Sequence, residues 1–295
     1  MAINPLKLAK SIINPAKAKE NSASNEAASK AKVQQNSSEG SPTRDGYERG
    51  ETKYSPIETD SVRWGNVYAA SPMDLLGAVR ELDKHFDEVA RVKGPTIMGS
   101  QGPVIDRRDL ERVLVDPKFQ GAKYNLLRQA CEFVLNRDGV FGRLQAVGDF
   151  NIFTGYNISK KDLAVALRAL TMVPEMPPDI NLQENIDKAK SMGFSLSGLK
   201  QFYEHVRNGG PWDYKQQGSQ YEDFGNFHFG MMGAAMGIPE EILLRGAGWA
   251  QEQAGTSSEE FGHWYDLFGN SSYGDDPKDQ EMIRLGIAYY KLMYG

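Results

Sequence analysis

Between Asn208 and Gly237 the chain reads NGGPWDYKQQGSQYEDFGNFHFGMMGAAMG. Trp212, Asp213, Lys215, Glu222, Asp223, Asn226 and His228 are crowded there among glycines that let the backbone approach closely. Ionisable groups this dense, with apolar sequence on both sides, mark a folded site rather than a solvated linker. The chemistry open to them is acid–base. A protonated carboxylic acid and an ionised partner cleave a glycosidic bond, and aromatic rings stack on sugar faces. In that reading Glu222 or Glu204 is the general acid and Asp213 or Asp223 the ionised partner. Trp212, Lys215, Asp223, Asn226, Asp275 and Asp276 hold the substrate. The competing reading is a nuclease. His228 would then be the general base, with Asp213, Asp275, Asp276 and Asp279 around a divalent metal, although no tight ligand motif such as HExxH is present.

Each of these residues also has a plain structural role open to it. Glu222 and Asp223 fit a solvated turn, Asp213 and Lys215 a loop-fixing ion pair, and His228 a hydrogen-bonded core histidine. Asp275 and Asp276 fit helix caps, and Glu204 an ordinary helix-terminal glutamate.

Charge separates the two chemistries. Residues 195–295 carry fourteen acids and seven bases, a surplus of seven negative charges. Nucleic-acid binders gain affinity by neutralising phosphates, and this region has no basic surplus to do so. The whole chain has net charge -5 and pI ≈ 5.5, which gives no general pull toward nucleic acid or an anionic membrane. Phe227 to Ile238, the longest apolar run, is too short and too rich in glycine to span a bilayer. The single cysteine, Cys131, rules out an internal disulfide framework and a Cys-based zinc site. It sits in the apolar pattern Leu126, Leu127, Ala130, Val134, Leu135 and reads as a small core residue.

The elements that must position these residues read as helices. Leu75, Leu76, Val79, Leu82, Phe86 and Val89 recur at helical spacing, as do the apolar positions from Tyr124 to Leu135. VIDRRDLERVL (104–114) and NISKKDLAVAL (157–167) form a weak internal repeat. Asp106 and Ser159 are placed as N-caps, with Asp109 and Asp162 in the first turn. The same pattern matches the end of an EF-hand loop. With Ile105 and Ile158 at the eighth position, the early ligand positions hold Met98, Ser100 and Gly102, and Asn151, Phe153 and Gly155. Calcium needs several carboxylate or carbonyl oxygens there, so the pair reads as metal-free. This layout resembles the helical EF-hand-like modules of HrpF/NolX-type proteins of type III secretion systems, over roughly residues 70–170.

The three prolines of MVPEMPPD (172–179) predict a linker, and Leu182, Ile186 and Ala189 predict the helix after it. In the last region a helix runs to Val206 and is stopped by Asn208-Gly209-Gly210, and Trp212 to Asp223 reads as loop. Helices follow over 227–236 and 240–253, and a last one starts at Pro277 behind a capping Asp276.

NGGPWDYK (208–215), FGNFHFG (224–230), LLRGAGWAQEQAGTS (243–257) and YGDDPKDQEMIRLGIAYY (273–290) together resemble the type-44 family of bacterial polymorphic toxins. The resemblance covers about the last hundred residues. It implies a C-terminal toxin domain, delivered by a dedicated secretion system and antagonised by an immunity protein.

Residues 1–60 are expected to be a disordered tail, because 21–43 is polar and nearly free of large apolar groups. Lysines at 7, 10, 17 and 19 interrupt any apolar core of a cleaved signal peptide. The expectation is a protein made in the bacterial cytoplasm and secreted without a cleaved signal, the tail being a possible export signal. The resulting organisation is mostly α: tail 1–60, helical EF-hand-like domain 61–175, linker and helix 176–194, toxin-like catalytic domain 195–295. The leading function is an exported antibacterial effector that hydrolyses peptidoglycan glycan strands without a cofactor. A toxin nuclease (RNase), with a divalent metal, and a non-catalytic secretion accessory or host-protein-binding effector are the alternatives. The expected partners are peptidoglycan or another polymer, an immunity protein, and a secretion chaperone or translocon component, with no membrane insertion.

Overall fold

The computed structural model describes residues 73–92, 102–148, 157–265 and 272–295. The expected tail, 1–60, lies outside the described residues, as do Met98, Ser100, Asn151, Phe153 and Gly155 of the two loops.

Among the described residues the chain is mostly α-helical, with one two-stranded sheet. Helices α1 (Leu75–Lys84) and α2 (Phe86–Val89) precede strand β1 (Val104–Ile105) and α3 (Arg107–Val115). Next come α4 (Asn125–Asn136), α5 (Val140–Val147), β2 (Ile158–Ser159) and α6 (Lys160–Thr171). The strands pair antiparallel, with Ile105 opposite Ile158. These are the two positions that the repeat aligns. The helix after each strand starts as the repeat predicts. Asp106 accepts from the Asp109 amide at 2.9 Å and Asp109 returns a bond to the Asp106 amide at 3.0 Å. Ser159 and Asp162 make the same box at 3.2 and 2.7 Å.

Apolar stripes of α1, α3, α4 and α6 meet in one core, which includes Leu82, Phe86, Leu110, Leu127 and Leu163. Cys131 lies within it, and burial pushes its thiol up to about 12, so it stays protonated.

After the proline segment come α7 (Leu182–Met192) and α8 (Leu196–Val206). The loop predicted over 212–223 contains two 3₁₀ turns, Tyr214–Gln217 and Ser219–Tyr221. Helix α9 (Glu222–Ala235) begins earlier than its apolar run suggests, because Glu222 and Asp223 occupy its first turn, where acids suit the helix dipole. Then follow α10 (Glu240–Ala254) and α11 (Pro277–Tyr294). Asp276 caps α11 through the Lys278 amide at 2.7 Å, and Pro277 holds its first position, as expected.

Helix α11 is the spine of the molecule. It lies closest along α9, and also packs on α10, α5 and α6. Arg168 of α6 pairs with Glu281 of α11 at 2.8 Å. The α9–α11 crossing is close because each helix offers a glycine to the other's backbone. A Cβ on Gly230 would sit 2.1 Å from the Ile283 carbonyl oxygen, and one on Gly286 would sit 1.9 Å from that of Phe227. Gly233 plays a different part and accommodates the side chain of Leu243.

Candidate functional site

Two polar clusters lie where α9 and α11 begin. The first surrounds Asn185. Helix α7 carries this residue on the stripe that buries Ile186 and Ala189. From the opposite side the chain turns after α8 at Gly209, with φ 74, and returns so that the Trp212 amide reaches the His205 carbonyl at 2.9 Å. Trp212 is thereby buried against Asn185. Its indole N–H donates to Asn185 Oδ1 at 3.1 Å. An indole nitrogen can only donate, so the orientation of the Asn185 amide is fixed. Asn185 Nδ2 then donates to the Tyr214 hydroxyl at 2.9 Å and to His228 Nε2 at 3.1 Å. His228 is packed among the rings of Trp212, Tyr214 and Phe224, with centroids 5.3, 4.8 and 5.7 Å away. Burial lowers its pKa to about 3. His228 is therefore a neutral acceptor inside an aromatic cage. Tyr214 is shifted up by burial, partly offset by the bond from Asn185.

The second cluster gathers at the first turn of α11. Lys278 reaches across to Asp223 of α9 at 2.7 Å, and Asp279 receives Lys215 at 3.5 Å. The two pairs run in opposite senses from adjacent residues. Asp275 lies beside them and is 2% exposed. Its Oδ1 accepts from the Asp276 amide at 3.1 Å and its Oδ2 from Gln280 Nε2 at 2.9 Å. Gln280 also donates to the Leu244 carbonyl at 2.9 Å, which anchors this group to α10. Burial raises the Asp275 pKa to about 6. The Asp279 charge adds to the rise, while bonds from Gln280 and Gln251 and the Lys215 charge oppose it. The chain enters this turn through two left-handed residues, Tyr273 at φ 51 and Gly274 at φ 88. The first is costly for a non-glycine residue, by about 1–3 kcal/mol. Close packing holds it there: a Cβ on Gly248 would lie 1.8 Å from the Tyr273 carbonyl oxygen, and the Arg245 guanidinium covers the Tyr273 ring at 4.4 Å.

The residues expected to work together are divided between these clusters and the surface. Lys215, Asp223 and Asp275 belong to the second cluster, with Asp276 capping the helix beside them. His228 belongs to the first, as a core histidine. Trp212 is 6% exposed with its N–H engaged, so its ring is not an open platform for a sugar. Asp213 closes a turn by accepting the Gly209 amide at 2.7 Å, and Lys215 pairs with Asp279 rather than with Asp213. Glu222 is exposed. Glu204 pairs with Arg207 of its own segment at 2.7 Å on the surface. Asn226 is buried, and its Nδ2 has no hydrogen-bond partner among the described residues. Among the described residues no three His, Cys, Asp or Glu side chains are grouped so as to hold a metal ion. The sequence reading did not single out Asn185, Tyr214 or Gln280. Asn185 and Gln280 share one signal, a polar residue on an otherwise apolar helical stripe.

Residues 214–292 match the model of a family described as bacterial toxin 44. Every ionisable member of the second cluster lies inside the toxin-44 segment, as do Tyr214 and His228 of the first. Asn185 and Trp212 lie ahead of it. The match supports a bacterial polymorphic toxin and bears out the resemblance of the C-terminal region. The likeness of the middle region to secretion modules gains nothing from it. No curated protein and no solved structure matches the chain. Among the described residues no helix is long and apolar enough to cross a membrane.

Proposed function

We propose that the chain is an exported antibacterial toxin whose C-terminal region hydrolyses peptidoglycan glycan strands, with Asp275 as the general acid. One observation carries this reading. A buried carboxyl group stands beside two lysine-paired carboxylates within the toxin-44 segment. Glycoside hydrolysis needs that division, one acid that keeps its proton and one carboxylate that stays charged. Burial keeps the Asp275 proton up to about pH 6. Lys215 pairs with Asp279 at 3.5 Å, and Lys278 with Asp223 at 2.7 Å. Asp275 gives its proton to the leaving glycosidic oxygen as that bond breaks, Asp279 or Asp223 balances the positive charge that develops on the sugar, and water then adds to the anomeric carbon and returns a proton to Asp275. Lys215 and Lys278 reach these carboxylates from the surface, with much of each lysine side chain exposed. The assignment moves the acid from Glu222 and Glu204, which stand exposed, to a group whose surroundings shift its pKa.

The surplus of acids in residues 195–295 favours a sugar polymer over RNA. A toxin of this kind also implies an immunity protein.

The test is the full chain incubated with purified sacculi and, separately, with RNA. Release of soluble muropeptides by the wild type, lost in a folded D275N variant, is the expected result. Cleavage of RNA in place of sacculi selects the nuclease. Activity on neither selects a binding effector.

A further inference from the structure

A polar cleft of about 360 Å³ opens where the proline segment enters α7. Asp179, Asn181, Glu184 and Asn185 line one wall, and Tyr214 and Gln217 line the other. The space is open to solvent rather than enclosed, and its lining is mostly polar. Its floor is the Asn185 network. Tyr214 is 5% exposed, yet it lines the cleft. Its hydroxyl oxygen already accepts from Asn185, whose amide orientation is fixed by the Trp212 indole. The hydroxyl proton therefore points away from Asn185, and it has no acceptor among the described residues. The wall of the cleft thus includes a tyrosine whose hydroxyl proton is not taken by Asn185. Around it stand the carboxylates of Asp179 and Glu184 and the amide of Gln217, and no lysine or arginine lines the space. Asp179 is held at φ 69, where non-glycine residues are uncommon.

A ligand for this cleft must offer an acceptor to Tyr214 and donors to two carboxylates, and it must not be an anion. Sugar rings meet all three conditions, since each hydroxyl both donates and accepts.

We propose that this cleft is a saccharide-binding subsite, in which the Tyr214 hydroxyl donates to a sugar oxygen while Asp179 and Glu184 accept from sugar hydroxyl or amino groups. Naming a glycan deepens the proposed function and rests on that reading, but binding here requires no catalysis at Asp275. The acidic rim favours a free amino sugar over its N-acetylated form and rejects a uronic acid.

The experiment titrates the full chain with three tetrasaccharides: β-1,4-linked N-acetylglucosamine, its deacetylated counterpart, and galacturonic acid. Binding is read by calorimetry and by the indole N–H resonance of Trp212, which reports on Asn185. The first two should bind and shift that resonance, with the deacetylated form tighter, and the third should not bind. Tyr214→Phe keeps the ring and removes the donor, and should weaken binding at least about tenfold. Glu184→Gln changes a surface residue, leaves the core untouched, and should erase the preference for the free amine. Binding that both variants leave unchanged, or no binding of either glucosamine oligomer by the wild type, overturns the subsite. The D275N variant separates the two readings. If it binds the oligomers as the wild type does while neither protein cleaves sacculi, the hydrolase reading falls and the subsite stands. If the wild type cleaves sacculi but Trp212 is undisturbed by sugar, the subsite falls and the hydrolase stands.

Discussion

The ammonium of Lys278 stands 2.7 Å from the carboxylate of Asp223, joining the first turn of α11 to the first turn of α9. The lysine is exposed and the aspartate is 3% exposed, so the two partners have unequal stakes in the pair. Removing the lysine leaves a charge buried without its counterion. Lys278→Met should therefore destabilise the protein by about 1–3 kcal/mol, as loss of one partner of a buried polar pair does. Adding Asp223→Asn should recover part of that loss. Urea unfolding of the two single variants and the double variant checks this. A double variant whose loss equals the sum of the two single losses shows that the pair is not coupled.

The reciprocal glycines of the α9–α11 crossing give a second expectation. A methyl group at Gly230 or Gly286 would fall within 2.1 or 1.9 Å of a backbone carbonyl on the facing helix, and a backbone cannot rotate aside as a side chain can. Gly230→Ala and Gly286→Ala should each cost about 1–3 kcal/mol or more, because overpacking forces the helices apart. Gly246 of α10 supplies the control, since a Cβ there meets nothing within 4 Å. Gly246→Ala should be neutral, or stabilising by up to about 1 kcal/mol through helix propensity. Thermal unfolding of the three variants decides the matter.

Much of this fold is written in local signals. The caps at Asp106, Ser159 and Asp276 follow from a polar side chain placed before an apolar period, and all three form as the sequence predicts. The apolar positions of α1, α4 and α6 likewise predict the core they build. The glycines of α9 announce a close approach, but not which helix approaches. Only the fold brings the Gly286 backbone to Phe227 and the Leu243 side chain to Gly233. The candidate site was less legible for the same reason. Asp223 and Lys278 are fifty-five positions apart, and nothing local ties one to the other. His228 reads equally well as a base or as a core residue until Asn185, from a helix ahead of the toxin-44 segment, is seen to occupy its Nε2. Glu222 and Asp223 are neighbours in sequence, yet one faces solvent and the other the core, because successive helical residues point about 100° apart.

Asn185 holds three groups from the opposite wall, and its replacement should be felt by each of them. Asn185→Asp keeps an acceptor for the Trp212 indole but removes the donors to Tyr214 and His228. The new carboxylate would face His228 Nε2 and favour its protonated form. The His228 pKa should therefore rise from its depressed value, which its ring carbon and proton shifts report directly. Asn185→Leu should leave three buried polar groups unpaired and cost about 1–3 kcal/mol or more. If the His228 titration is unchanged in Asn185→Asp, the amide does not govern the histidine and the network has been assigned wrongly.

Asp275 and His228 act on stability in opposite directions across one acid window. Burial raises Asp275 from 3.8 to about 6, so in that range the folded state holds a proton that the unfolded chain has lost. Its contribution to stability therefore falls as pH rises from about 4 to about 6. Burial lowers His228 from 6.5 to about 3, so there the unfolded chain binds the proton and the folded state does not. Its contribution rises with pH across about 3 to about 6.5. In the wild type the two slopes offset each other between about pH 4 and pH 6. Asp275→Asn removes the falling slope and leaves the rising one. Between about pH 4 and pH 6 the stability of D275N should climb relative to the wild type by up to about 1.4 kcal/mol per pH unit. Urea melts of both proteins at several pH values across this window measure the difference. The same proton governs the proposed reaction, because only the protonated form of Asp275 can act as acid. Wild-type cleavage of sacculi should fall as pH rises through about 6, while D275N at the optimum should be about 10²–10⁴-fold slower, the usual contribution of a general acid. Parallel stability profiles would show that Asp275 is ionised in the folded protein, and an acid that has already lost its proton cannot give it to a leaving group.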